Sequence, residues 1–485
     1  MTLTAPFQNR TEYRAAGRYR LLPFRFGHLD GDRYLVTNDV GEYVLLCRDE
    51  LVAFVEHRLA PDDRAYKALK SRHFLFDERS RVALDLLALK YRTRAENLAS
   101  FTGLHIFVVT LRCDHSCHYC QVSRQTEDRL QFDMTRAHAD AALELTFRSP
   151  SKHIKIEFQG GEPLLNFELI RHVVERAQEL NKERGRDLRF VIASNLSRLS
   201  DEVLSFCKRN SVYLSTSLDG PEHLHEAQRP LRGGHSYRTT TEAIHRVRAA
   251  LGPQFISALM TTTPASLPLV EEIIDEYVRQ GFHSIFLRNL SPYGFAARTN
   301  LLRRCTIDDW IEFYKRGLAH ILKINADGYP LREEFTTILL QKIFSPTGSN
   351  YVDLQSPAGI GIGAIVYNYD GSVYASDEGR MLAEMGDHAF RLGHLDADSY
   401  EAMLTSESLL SALDESMPEG APMCSDCPFL PYCGADPVFH RVTQGDAVGH
   451  KAFSDFCKKQ MATLRHVIGL LEGDSGVRQA LLRWI

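Results

Sequence analysis

The strongest constraint on this chain's fold is an alternation repeated six times between residues 104 and 290. Short runs rich in β-branched and aromatic residues recur there: HIFVVT, IKIEFQG, RFVIASN, VYLSTSL, FISALMTTT and SIFLRNL. Between them lie segments whose apolar residues fall at helical spacing, such as LIRHVVERAQEL (169–180) and LVEEIIDEYVRQ (269–280). Such alternation predicts an α/β fold, a parallel barrel or an open partial barrel of six strand–helix units. In barrels of this kind the chemistry gathers at the C-terminal ends of the strands. Here the first run leads into Cys113, Cys117 and Cys120, the second into Gly160-Gly161-Glu162-Pro163 and the third into Ser194-Asn195. The fourth ends in Ser217-Leu218-Asp219-Gly220, the fifth in Thr261-Thr262-Thr263 and the sixth in Arg288-Asn289. Six polar strand ends on one rim describe a single active site.

Composition sets the surroundings. At 485 residues, 44% hydrophobic and 25% charged, the chain is long enough for two or three domains with substantial cores. A net charge of −5 gives no electrostatic case for nucleic acid as partner. MTLTAPFQNRTEYRAAGRYR at the start holds no signal-like apolar stretch, and no run reaches membrane-spanning length. A cytoplasmic protein without a membrane partner is expected, so the ten cysteines read as metal ligands or nucleophiles rather than disulfides. Cys207, in VLSFCKRN, reads as a buried helix cysteine, and the isolated Cys47 and Cys305 as structural.

The remaining seven cysteines fall into two groups. In VVTLRCDHSCHYCQVSR, Cys113, Cys117 and Cys120 lie within eight residues, without a fourth. A zinc site or a cross-link calls for a full or even set, whereas three thiolates on a four-iron cube leave one iron open. That iron could take the amino and carboxylate groups of S-adenosylmethionine. One-electron cleavage would then release a 5′-deoxyadenosyl radical able to abstract hydrogen from unactivated carbon.

C-x3-C-x2-C after a first barrel strand resembles the radical S-adenosylmethionine superfamily, over about residues 104–300. FQGGEP resembles that family's glycine-rich motif. The resemblance implies that the backbone at Gly160 and Gly161, with Glu162, meets the methionyl amino group. It also implies that Asn195 and Ser217 contact ribose or methionyl groups, Arg229 the carboxylate, and Tyr119 the adenine.

Near the C-terminus, CSDCPFLPYC supplies Cys424, Cys427 and Cys433, and SDFCKKQM supplies Cys457. Four thiols with one C-x2-C pair suit zinc or a second iron–sulfur cluster. The last thiol stands alone, unlike a zinc ribbon's paired halves, and the cluster is favoured largely because the rest of the chain argues for cluster chemistry. From AIVYNYDGSVYASDEG, a β-hairpin around Asp370-Gly371, this segment resembles the SPASM extension, which carries two auxiliary clusters in full form. Ser376 and Pro437 stand where full SPASM sequences place cysteines, so the resemblance implies one auxiliary cluster in a reduced domain. It also implies that Asp377 takes a proton from the substrate; the alternative is an exposed hairpin aspartate.

In the first hundred residues, DRYLVTNDVGEYVLLCRDELVAFVEHRL reads as two strands around a turn at Asp39-Val40-Gly41, then an amphipathic helix. DRAYKALKSRHFL reads as another helix. The pattern resembles winged-helix peptide-recognition domains, which bind a leader segment as an added strand; a structural cap is the alternative. Over most of its length the chain resembles the B-component maturase of the His-Xaa-Ser peptide-modification system. LLPFRF, KYRTRAENLASFTGLHIFVVTLRC and IKIEFQGGEPLLN carry that likeness. It implies a ribosomally made precursor peptide as substrate and a second radical enzyme alongside.

The expected organisation is a recognition domain over 1–100, a radical barrel over 101–330 and an auxiliary-cluster domain over 331–485. Hydrogen abstraction would lead to a cross-link, with the auxiliary cluster taking the second electron and a flavodoxin or ferredoxin supplying the first. One alternative is a sulfatase-maturase-like enzyme that oxidises a residue of a protein partner without cross-linking. The other is a zinc-binding scaffold without catalysis. Should Asp377 not serve as base, Thr262, Arg288 and Asn289 are the next candidates.

Overall fold

The computed structural model describes residues 19–485 except 81, 300 and 350. The N-terminal part builds an antiparallel meander of β1 (Arg25–Asp30), β2 (Arg33–Thr37) and β3 (Tyr43–Cys47). It continues into α1 (Arg48–Val55) and α2 (Arg64–Ser71). The turn between β2 and β3 falls where the sequence places it. Asn38 Oδ1 accepts from the backbone N–H groups of Val40 and Glu42, and Gly41 takes φ +78°. Alternating side chains divide the meander's two faces. Val36, Val44 and Leu46 join Phe54, Leu69 and Phe74 in a separate small core, whereas Leu29 and Leu35 join the main one.

The expected parallel strands come next in the chain: β4 (Leu104–Thr110), β5 (His153–Gly160), β6 (Asp187–Ala193), β7 (Val212–Ser217), β8 (Ile256–Thr261) and β9 (Leu287–Arg288). They lie side by side in chain order, all parallel. Period-two alternation sorts their residues into two layers. Phe107 and Val109 of β4 face the helix layer with Ile156, Phe158 and Val173, whereas Ile106 and Val108 face the inner side with Val366 and Tyr374. Among the covering helices, α3 (Phe167–Arg184) buries Leu169, Ile170, Val173, Val174 and Ala177, the spacing that the sequence predicts. It stops at Gly185, in the left-handed region at φ +63°, whose N–H reaches Asn181 O. Helix α4 (Val270–Arg279) buries Val270, Ile273, Ile274 and Tyr277.

Two features differ from a closed six-unit reading. The sixth run breaks at Phe286, because Ser284–Ile285 pairs with Arg332–Glu333 while only β9 stays on β8. The buried Glu333 carboxylate fixes the break by accepting from Leu287 N at 3.1 Å and from Thr336 N at 2.6 Å. In addition, the sheet does not end at β4. The predicted hairpin, β10 (Ala364–Tyr367) and β11 (Ser372–Tyr374), joins it, with β10 parallel to β4 and β12 (Arg391–His394) outermost. A nine-stranded sheet therefore runs across position 330. After β11 come α5 (Asp377–Ala383), α6 (Pro437–Gln444) and α7 (Asp455–Leu471). Among the described residues no helix is long and apolar enough to cross a membrane.

Candidate active site

The loop carrying Cys113, Cys117 and Cys120 leaves the C-terminal end of β4 and is held on three sides. On one side lie Gly160 and Gly161. A Cβ on Gly160, at φ +143°, would fall 1.8 Å from Thr110 O, and one on Gly161 would fall 2.2 Å from Arg112 O. The glycines therefore let the end of β5 lie against the backbone that feeds the thiol loop, and Gly161 N and Glu162 N donate to Thr110 O and Arg112 O at 2.9 and 2.7 Å. On a second side, Asn195 Nδ2 donates to Asp114 Oδ1 at 3.0 Å and lies 2.8 Å from His115 Nδ1. On the third, Ser116 N and His118 N donate to Pro230 O and Gln228 O at 2.9 and 3.3 Å.

Glu162 is fully buried and binds two strand ends together. Its Oε1 accepts from Leu164 N and Ser194 Oγ, and its Oε2 from Asn195 N at 2.7 Å. Burial pushes its pKa up to about 7 against the lowering effect of those bonds. A carboxylate oxygen accepts about two hydrogen bonds, so Oε2 keeps one position for an outside donor such as an amine. Asp114 lies at the opposite extreme. Partners at His115, Ser197 and Asn195 outweigh its burial and hold it well below the usual carboxylate range.

Under Cys117, Tyr119 Oη donates to Asp219 Oδ2 at 2.6 Å and accepts from Arg229 Nη1 at 2.7 Å. The Arg229 guanidinium offsets the burial that raises Cys117 to about 11. Tyr119 is thus tied into a buried network and packs beside Leu290 and Ala296. Ser217 closes β7, half-buried. Sequence reasoning does not single out Asp114 or His115 as site residues, although both sit inside the thiol loop, so position alone could have flagged them; Asp219 it names only among the polar strand ends.

The donor set fits a cluster with an open iron: three half-buried thiols on one pinned loop, with the half-buried Arg229 guanidinium acting on the second. A second set converges by tertiary folding. Cys424, Cys427 and Cys433 come from one loop and Cys457 from the first turn of α7; Cys433 feels the charge of each of the other three. Burial pushes all four thiols up, and the Lys451 ammonium draws Cys424 and Cys457 back down. The positions that the SPASM likeness makes notable have local duties. Ser376 caps α5 by accepting from Gly379 N at 3.0 Å, and Pro437 opens α6 behind the Asp436 cap. Asp377 is not an exposed hairpin residue: its side chain is 17% exposed. Burial raises its pKa, with Arg380 and Arg288 opposing. It lines a cavity of about 310 Å³ on the inner side of the sheet, together with Arg288 and Asn289.

With this geometry in place, comparison defines the class. Residues 107–277 match the model of the Radical SAM superfamily, so the chain carries a radical S-adenosylmethionine domain, a domain of enzymes. Among curated proteins, an uncharacterized protein of Methanocaldococcus jannaschii is 27% identical over 188 residues, 39% of this chain and 62% of that protein. The match thus spans under two thirds of that relative. Among solved structures, anSMEcpe with bound AdoMet gives a TM-score of 0.61 at 16% identity, covering 76% of this chain and 100% of that one. Streptococcus suis SuiB bound to precursor peptide SuiA gives 0.51 at 12% identity, covering 88% and 97%. These likenesses establish the α/β radical SAM fold.

Proposed function

We propose that this chain is a peptide maturase that oxidises a ribosomally made precursor by radical chemistry and closes a side-chain cross-link. The observation that carries the reading is the thiol loop, pinned at the strand ends by Gly160-Gly161 and Asn195 beside Arg229. A four-iron cluster with S-adenosylmethionine, when bound there, supplies a 5′-deoxyadenosyl radical. Cys113, Cys117 and Cys120 would hold the cluster. Glu162 Oε2 would take the methionyl amine at its free position, and Arg229 would take the carboxylate. Asn195, Ser217 and Tyr119 would hold the adenosyl part, Asn195 chiefly by fixing the thiol loop.

The products must balance. A cross-link removes two hydrogens from the peptide, of which one would leave as an atom and be recovered in 5′-deoxyadenosine. Asp377 would accept the other as a proton; Cys424, Cys427, Cys433 and Cys457 would hold an auxiliary cluster, which would supply an acceptor for the remaining electron. A flavodoxin or ferredoxin would donate the initiating electron.

The peptide reading draws support from SuiB, solved with a precursor peptide at the same fold. Residues 1–100 would recognise the leader, although 1–18 lie outside the described residues. The SPASM-like region over 331–485 would hold the auxiliary cluster. His-Xaa-Ser repeats and a second radical enzyme complete the reading.

The test is anaerobic turnover with a His-Xaa-Ser precursor, read by mass spectrometry. Loss of two hydrogens per event, with a fragmentation gap across the joined residues, supports a cross-link. The same loss confined to one residue would replace cross-linking by simple oxidation, and an unmodified peptide beside abundant 5′-deoxyadenosine would overturn the peptide reading.

A further inference from the structure

The cavity beside Asp377 is lined by more carboxyl groups than proton removal needs. Its wall includes Asp353, Asp377, Glu378, Asp436 and Asp455, against the cations Arg288 and Lys459. Arg380 pairs with Asp377 at 3.4 Å. Lys459 Nζ donates to Asn289 Oδ1 at 3.2 Å and lies 5.5 to 6.0 Å from the rings of Phe335, Phe456 and Trp310, and its charge also reaches Asp353 and Asp436 without pairing with either. Among the described residues, Asp353, Glu378 and Asp436 make no ion pair, although each raises the pKa of the Tyr293 phenol. Burial and the neighbouring Asp353, Asp377 and Asp436 push Glu378 up to about 8.

A second observation points to a ligand. Tyr293 is 2% exposed and lines the same cavity, yet its hydroxyl has no hydrogen-bond partner. A buried hydroxyl left unpaired destabilises the fold, a cost that a ligand group placed there would remove. Several acceptors on one wall, with aromatic faces beside them, suit a planar or compact cation that brings many donors and no acceptor.

We propose that Asp353, Glu378, Asp436 and the Tyr293 hydroxyl form a subsite for a positively charged side chain of the substrate peptide, close to the position that is oxidised. The proposal rests on the peptide reading and narrows it: the segment entering the cavity carries a cation near the modified residue. That cation adds to the counter-charge that Lys459 supplies only in part, satisfies Tyr293, and fixes how far the peptide advances past Asp377.

The test uses the full-length reconstituted protein with benzamidine as a cationic probe and benzamide as its neutral counterpart, under equilibrium dialysis. Benzamidine is expected to bind at least about tenfold more tightly. Glu378→Gln and Asp353→Asn, singly and together, should shrink that preference and then erase it. Tyr293→Phe, which removes only the hydroxyl, should lower benzamidine affinity about threefold. No preference for the cation in the wild-type protein, or one that persists in either carboxamide variant, overturns the subsite. A peptide panel separates this outcome from the reading beneath it. Peptides modified equally well after every Lys, Arg and His is replaced by Gln would remove the subsite and leave the maturase. A clear benzamidine preference in a protein that modifies no peptide would leave the subsite and remove the peptide reading.

Discussion

The two thiol sets, each proposed above to hold a cluster, are assembled by opposite routes. Cys113, Cys117 and Cys120 sit on one loop, and their neighbours from elsewhere in the chain act as clamps: Gly160-Gly161, Asn195 and the backbone at 228–230. The second set is completed only when α7 brings Cys457 to the loop of Cys424, Cys427 and Cys433. The N-terminal meander also secures that loop. Arg25 Nε donates to Ser425 O at 2.5 Å and Thr37 Oγ1 to Pro428 O at 2.8 Å, while Tyr432 Oη donates to Gly41 O at 2.8 Å. A locally encoded set survives small shifts in packing, whereas an assembled set depends on the three regions that meet around it.

The largest effect expected from this contrast is at the first set. Replacing Cys113, Cys117 and Cys120 with alanine should lower iron from about eight to about four per chain. S-Adenosylmethionine cleavage should fall below detection, measured as 5′-deoxyadenosine. Retained cleavage would break the assignment of that loop.

Cys457→Ala provides the mirror experiment. Iron should again fall to about four, but cleavage should persist while peptide product drops by roughly a hundredfold. Full iron content would place Cys457 outside the set.

Between the two sets, Asp377→Asn should keep all the iron and still pass deuterium from labelled peptide into 5′-deoxyadenosine. Product should fall by about a hundredfold or more, the usual scale for a positioned base. Because burial raises the Asp377 pKa and the base works as the carboxylate, the acid limb of the wild-type profile should lie above the ordinary carboxylate range. Near-normal product would move attention to Thr262, Arg288 and Asn289.

The smallest effect is on stability. The Glu378 pKa rises from 4.5 to about 8 on folding, so the folded chain holds a proton that the unfolded chain has released. Stability should therefore fall as pH rises from 4.5 to 8, with Glu162, Glu333 and Asp436, each raised to about 7, adding to the slope. Glu378→Gln should flatten the slope by about one proton, read from melting temperatures across that window. An unchanged slope would mean that Glu378 titrates normally in the folded chain.

Much of the radical domain was legible in the sequence because its signals are local. β-Branched runs at regular spacing marked all six strands, although the sixth is split by a buried carboxylate from beyond position 330. GGEP was legible too, and the structure adds a reason for its glycines. The missing Cβ atoms make room for the carbonyls of Thr110 and Arg112 in the chain itself. Ser376 and Pro437 read as absent ligands, and their present work as a helix cap and a helix start shows only in three dimensions.

By itself, the sequence determined the features that near neighbours along the chain control: strand and helix periodicity, the thiol loop, the hairpin at Asp370-Gly371 and the helix that ends at Gly185. Tertiary structure decided everything that depends on long-range closure. It attached β10 to β4 and carried one sheet through both halves of the chain. It also set Asp353, Glu378 and Asp436 facing Tyr293, from positions up to 143 residues apart (436 − 293). No periodicity links such residues, because their proximity comes from packing and not from spacing along the chain.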